Sequence, residues 1–183
     1  MRSYFQKYRP FFIFLFKFFV VYVVLTVIYQ QYLNSFDAVT YEPDGFTRSV
    51  ASQTEMLLNF FNYSVALKLH ASQPSVMLFL ENKYLARVVE GCNAISVMIL
   101  FVAFVVAFKG TLKHTLLFII FGCVIVHVLN VGRIALLSMA LLHYPQYGEF
   151  LHGVIFPLFI YGVVFGLWII WVNKFSVYAK KIS

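Results

Sequence analysis

Residues 115–142 read TLLFIIFGCVIVHVLNVGRIALLSMALL, an apolar run that carries a single formal charge, Arg133. A bilayer's hydrocarbon core is about 30 Å thick and takes roughly 20 apolar residues per helix, so this stretch is long enough to cross a membrane. Three further runs resemble it in character. Residues 10–32 (PFFIFLFKFFVVYVVLTVIYQQY), 92–108 and 152–171 are also apolar. The spacing predicts an all-α polytopic membrane protein, with about four transmembrane helices in one membrane domain over 1–183. A small folded extracytoplasmic segment, about 33–91, is expected between helices 1 and 2.

The composition agrees. Of the 183 residues, 62% are hydrophobic, 20% aromatic and only 11% charged, against about 25% charged in soluble domains. The net charge of +7 does not suit a nucleic-acid partner, because such proteins cluster cations along a groove with stacking aromatics. Here the cations sit mostly at the ends of the apolar runs. The expected partner is the lipid bilayer.

With four spans, both termini fall on one side. Arg2, Lys7, Arg9, Lys109, Lys113, Lys174, Lys180 and Lys181 then share that side, which the positive-inside rule makes cytoplasmic. All seven acidic residues, Asp37, Glu42, Asp44, Glu55, Glu81, Glu90 and Glu149, fall on the other. The first run is read as a retained helix, since it exceeds the roughly 7–15 apolar residues of a signal peptide and no small-residue cleavage site follows.

In 33–91, Asp44-Gly45 marks a turn, and Ser52-Gln-Thr-Glu55 has capping-box spacing. These predict an amphipathic helix over about Ser49 to Tyr63, with its apolar face on the membrane. Val65, Leu67 and Leu69 alternate with polar or small residues. SVMLFL (75–80) and YLARVV (84–89) flank a turn at Glu81-Asn-Lys83, so short strands are expected.

Two cysteines make no disulfide scaffold, and Cys123 lies deep in its run while Cys92 opens one. At the N-terminal end of the second span, Cys92 would meet unpaired amides and a dipole that favour a thiolate. Standing alone, it would read as a packing residue. Arg133 is costlier to explain, because an arginine at the bilayer centre costs about 2.5–3.5 kcal/mol on insertion scales. Counting about 20 residues from Thr115 at roughly 1.5 Å each puts it near the outer interface, where it can also snorkel. Asn130 precedes it by three positions, placed to hold the guanidinium, a substrate carbonyl or a neighbouring helix. His152 opens the fourth span at the level of Cys92. A thiol, a fixed cation and an imidazole at one depth permit acyl transfer, with Glu90 available to orient the imidazole.

Other chemistries fit poorly. His127 has no level partner for bis-histidine haem. Metal motifs of the HExxH or CxxC kind, Gly-rich phosphate loops and GxSxG elbows are absent, so no cofactor and no metal are expected.

The stretches EGCNAIS (90–96), NVGRIAL (130–136) and HGVIFPLFIYG (152–162) resemble, in order, the three signature blocks of the exosortase and archaeosortase family. The resemblance covers about Tyr84 to Trp171 and is nearest to the small F-type exosortases. It implies a membrane-embedded cysteine transpeptidase or protease that processes C-terminal sorting signals of secreted proteins at the outer face of the cytoplasmic membrane. Its implied partners are membrane-anchored substrates with a short motif, a C-terminal sorting helix and a basic cluster. By the same resemblance Cys92, Arg133 and His152 are the catalytic residues; the chemistry read above makes Cys92 the nucleophile, Arg133 the oxyanion stabiliser and His152 the general acid and base, with Asn130 and Glu90 in support. One departure stands out: the family usually follows the cysteine with a small residue and glycine, where this chain has Asn93 and Ala94. Asn93 is read either as an extra oxyanion donor or as the mark of a different substrate motif. The rival readings are a non-catalytic scaffold or export-assembly subunit, in which Arg133 pairs with Glu90 or Glu149, and a small transporter, for which no repeat is found.

Overall fold

The computed structural model describes residues 2–36, 41–108 and 110–175; Asp37, Lys109, Lys180 and Lys181, used above for charge asymmetry, lie outside them. The elements run α1 (Arg2–Leu33), α2 (Gly45–Phe60), β1 (Val65–Leu69), β2 (Ser75–Leu80), β3 (Lys83–Val89), α3 (Ile95–Ala107), α4 (Leu112–His143), a short α5 (Gly148–Phe150) and α6 (Phe156–Ile170). Turns of π-helix at Leu151–Ile155 and Trp171–Phe175 join α5 to α6 and extend it.

Three helical stretches are long and apolar enough to cross a membrane: Tyr8–Leu33, Leu112–His143 and Pro145–Phe175. The run expected at 92–108 is shorter than predicted. Its helix is the 13 residues Ile95–Ala107, about 20 Å at 1.5 Å per residue. Glu90–Cys92 forms a 3₁₀ turn and Ala94 takes a left-handed conformation (φ 65°), so the α-helix cannot begin before Ile95; Phe108 turns extended and ends it. The short strands expected in the segment before α3 form a three-stranded antiparallel sheet in the order β1-β2-β3, within a chain that is otherwise helical.

Apolar side chains face outward along α1, with Phe16 71% exposed and Phe11, Phe19 and Val23 exposed beside it. Such a surface suits lipid, in which helices associate through packing rather than through escape from water. On the inner side, Phe14 meets Phe104 and Phe108 at ring-centroid distances of 5.7 and 4.6 Å. Phe104 stacks on Trp168 of α6 at 4.2 Å. Phe101, Val105, Phe118, Val126, Val164, Leu167 and Trp171 close the core between α3, α4 and α6.

Gly122 makes the α3–α4 contact possible: a Cβ there would lie 2.2 Å from Cζ of Phe101, whose side chain is fully buried. A small residue lets the helices approach this closely. Gly122→Val is therefore expected to lose about 1–3 kcal/mol of stability through overpacking, read as a lower midpoint for unfolding in detergent.

The amphipathic helix begins earlier than its capping-box spacing suggests. Asp44 is the N-cap, accepting from the Phe46 and Thr47 amides at 3.0 Å each while its second oxygen accepts from the Thr47 hydroxyl. The Asp44-Gly45 pair, expected to mark a turn before the helix, thus starts α2 itself, and Ser52-Gln-Thr-Glu55 lies mid-helix. Its buried face does not rest on the membrane. Val50 and Ala51 pack with Val76, Val88, Val131 and Ile134, and Leu58 packs with Leu78, Leu80 and Ala135, so α2 fills the space between the sheet and α4.

Strand β2 supplies the sheet's inward face by alternation: Val76, Leu78 and Leu80 are buried. The turn from β2 to β3 has Glu81 and Asn82 at φ 52° and 61° between the paired Leu80 and Lys83, the two-residue hairpin geometry that needs positive φ at both centres.

Candidate active site

Cys92 closes the 3₁₀ turn that follows β3 and is half-buried. Its position is fixed through the main chain, because the Asn130 side chain, itself 1% exposed, donates from Nδ2 to the Cys92 carbonyl oxygen at 2.7 Å. The Asn130 amide therefore holds the nucleophile candidate's backbone rather than the guanidinium of Arg133.

Asn93 is buried with both ends of its amide engaged. Nδ2 donates to the Tyr29 hydroxyl at 2.8 Å and to Thr47 Oγ1 at 3.2 Å, while Oδ1 accepts from the Ile95 amide at 2.9 Å. One side chain thereby ties α1 and α2 to the first turn of α3. Its donors point at protein oxygens, so the geometry makes Asn93 an anchor and not an oxyanion donor. Ala94 stands where the resemblance implies glycine, and its backbone gives the reason. An L-residue at φ 65° is strained by about 1–2 kcal/mol, and glycine is not. Ala94→Gly is expected to raise stability by about 0.5–1 kcal/mol, after the chain-entropy cost of glycine, with the fold unchanged; thermal unfolding in detergent measures it.

His152 is exposed and lies within the π-helical turn Leu151–Ile155, a distortion frequent at functional sites. It lines a cavity of about 540 Å³ together with Cys92. The strand wall of that cavity is Leu85, Ala86, Arg87 and Val89; the helical wall is Leu137, Leu141 and Glu149. The structure thus brings Cys92 and His152 to one space from two separate elements.

Arg133 does not line this cavity. It is half-buried on α4 between Asn130, which holds Cys92, and Leu137, which lines the cavity, and the i, i+3 and i+7 spacing of the three puts them on one stripe of the helix. Among the described residues its guanidinium makes no hydrogen bond or ion pair; the one ion pair found joins Arg48 to Glu42 at 2.8 Å. The scaffold reading needed a pair from Arg133 to Glu90 or Glu149, and neither is formed.

Glu90 faces elsewhere. It lines a second cavity, about 460 Å³, with Glu42 and Asp44, and does not share the space of His152. Burial, and then the negative charge of Asp44, push its carboxyl above the usual carboxylate range. A carboxyl raised in the fold contributes stability that is fully present below its unfolded pKa and lost as pH rises through the folded value. Glu90→Gln should therefore raise the unfolding midpoint at pH 7 and leave it nearly unchanged at pH 4.

The carboxylate that does share a cavity with His152 is Glu149, three residues before it. That spacing on a helical run was a readable signal. Arg87 was readable too, since it alternates with Val89 in the strand that leads to Cys92. His127 also gains a partner unseen in the sequence: its Nε2 lies 2.7 Å from Gln53 Oε1 on α2. Among the described residues no cluster of histidine, cysteine and carboxylate could hold a metal ion.

A family model described as transmembrane exosortase matches residues 5–173. The chain belongs to the exosortase family. The match runs from α1 through the sheet to the end of the last helix, well beyond the three blocks that carry the resemblance in sequence. No curated protein and no solved structure matches the chain. In this exosortase-family membrane protein, Cys92 and His152 lie at one cavity, and Arg133 lies on the adjoining stripe of α4.

Proposed function

We propose that this exosortase-family chain, of the small F-type, is a cysteine transpeptidase or protease that processes C-terminal sorting segments of secreted proteins. The observation that carries the reading is the shared cavity of Cys92 and His152. In the proposed reaction His152 takes the proton of the Cys92 thiol, and the sulfur adds to the scissile carbonyl carbon. Arg133 stabilises the oxyanion, and His152 gives a proton to the departing amine as the C–N bond breaks. The acyl thioester on Cys92 is then attacked by water or an acceptor amine, whose proton passes to His152.

In the membrane, α3 completes a fourth span, short of the full core by itself, and both termini face the cytoplasm. The sheet, α2 and the cavity then lie at the outer face of the cytoplasmic membrane. A substrate helix with a cytoplasmic basic end presents its outer end at that level.

The test is co-expression with a secreted protein that ends in a short motif, an apolar helix and a basic cluster. A product shortened by the helix and its basic end is expected, together with labelling of Cys92 by a membrane-impermeant maleimide from outside. An uncut substrate, or labelling only from the cytoplasm, overturns the reading.

A further inference from the structure

Strand β3 is an edge strand, and it ends directly at the turn that carries Cys92. Its pairing with β2 is regular over Ala86–Val89, opposite Leu78 to Ser75, and is interrupted before that by a bulge at Leu85. Within the regular stretch Val88 faces the core and is 1% exposed, while Arg87 and Val89 line the Cys92 cavity. Among the described residues no backbone hydrogen bond joins β3 to any element but β2. Residues of both faces of the strand, Ala86 as well as Arg87 and Val89, line the cavity, so the unpaired edge between those faces borders it, across from Leu137, Leu141 and Glu149.

An edge of this kind is a template for an added strand, with main-chain bonds giving affinity and alternate side-chain pockets giving selectivity. We infer that the outer edge of β3 at Ala86–Val89 is the substrate-docking element: the extended residues just before the scissile bond pair with it as a fourth strand. This rests on the proposed function for the identity of the occupant. The direction follows from chain geometry. The β3 strand runs toward Cys92, and the substrate must also run from its secreted domain toward the scissile bond and then into its membrane helix. Both chains point the same way, so the pairing is parallel. Continuity supports this occupant, since a strand paired at Val89 reaches the level of Cys92 within about three residues at roughly 3.3 Å each. The cavity's cation, Arg87, is on the strand wall, where its guanidinium donates to the Gln73 side chain, and its carboxylate, Glu149, is on the helical wall.

The experiment uses full-length chain carrying Cys92→Ser and Cys123→Ser, with one cysteine placed at Arg87 or at Val89. It is co-expressed with the sorting-segment protein above, whose residues before the apolar helix are replaced by cysteine one at a time. Disulfide yield is expected to alternate with a two-residue period, and its maximum to move toward the substrate's helix when the enzyme cysteine moves from 87 to 89. A flat profile, movement in the opposite direction, or cross-linking between two copies of the chain in place of the substrate overturns the proposal. A second measurement leaves the enzyme untouched. Single prolines along the same substrate stretch should slow processing by wild-type chain about tenfold at every second position, where an amide would donate to β3, and leave the intervening positions nearly unaffected. Processing that depends on Cys92 but shows no alternation sinks the docking element alone. Alternating cross-links without Cys92-dependent processing uphold the docking element and sink the proposed chemistry.

Discussion

Replacing Cys92 with alanine is expected to abolish processing, with a loss on the order of 10⁶-fold for a covalent mechanism deprived of its nucleophile. Cys92→Ser should lose most of the activity as well, because a hydroxyl is far less ionised than a thiol and the site is proposed to act through a thiolate. The fold should survive both changes. Asn130 holds residue 92 through its main-chain carbonyl, a bond that alanine and serine keep, and the side chain is only half-buried. Quantitative mass spectrometry of the substrate's C-terminus, beside an unfolding midpoint within about 1 kcal/mol of wild type, separates lost chemistry from lost structure. Processing by both variants at the wild-type rate would remove the thiol from the mechanism.

The second large effect is expected at Arg133. Removing one oxyanion-stabilising donor typically costs about 10²–10³-fold in kcat, and Arg133→Ala should fall in that range with KM little changed. The split matters. A cation that merely positioned the protein in lipid would act on stability or insertion and leave kcat of the inserted fraction intact. Arg133→Lys keeps the charge but loses the planar fork, so it should recover part of kcat. An unchanged kcat in Arg133→Ala would exclude the role. The position on α4 favours it, since the guanidinium is without a hydrogen bond or ion pair among the described residues and residue 133 lies on the same helix stripe as Asn130, which holds Cys92, and Leu137, which lines its cavity.

The membrane class, the long helices and the strands were legible because each leaves a direct mark: long apolar runs with one cation apiece, Lys17 and Arg133, for α1 and α4, alternation at Val65, Leu67 and Leu69 for β1, and the turn at Glu81-Asn-Lys83 between β2 and β3. Helix starts were less so. Asp44 and Ser52 both carry N-cap chemistry, and only the packing of Val50 and Ala51 against α4 and the sheet selects the first. The start of α3 depends on the left-handed Ala94, a backbone state that alanine does not announce. Asn93 could not be assigned from sequence because its partners Tyr29 and Thr47 lie 64 and 46 positions away. Glu90 and Glu149 were equally acidic on paper. The 3₁₀ turn places Glu90 and Cys92 at different cavities, although they are two residues apart.

The account rests on an acyl thioester at Cys92, and trapping it is the most direct test. Full-length chain incubated with its sorting substrate and quenched in acid should carry, by peptide mass spectrometry, the substrate's N-terminal fragment on Cys92. Hydroxylamine should release that adduct, and Cys92→Ala should lack it. An adduct on Cys123, or rapid processing with Cys92 unmodified at every time sampled, would contradict the account.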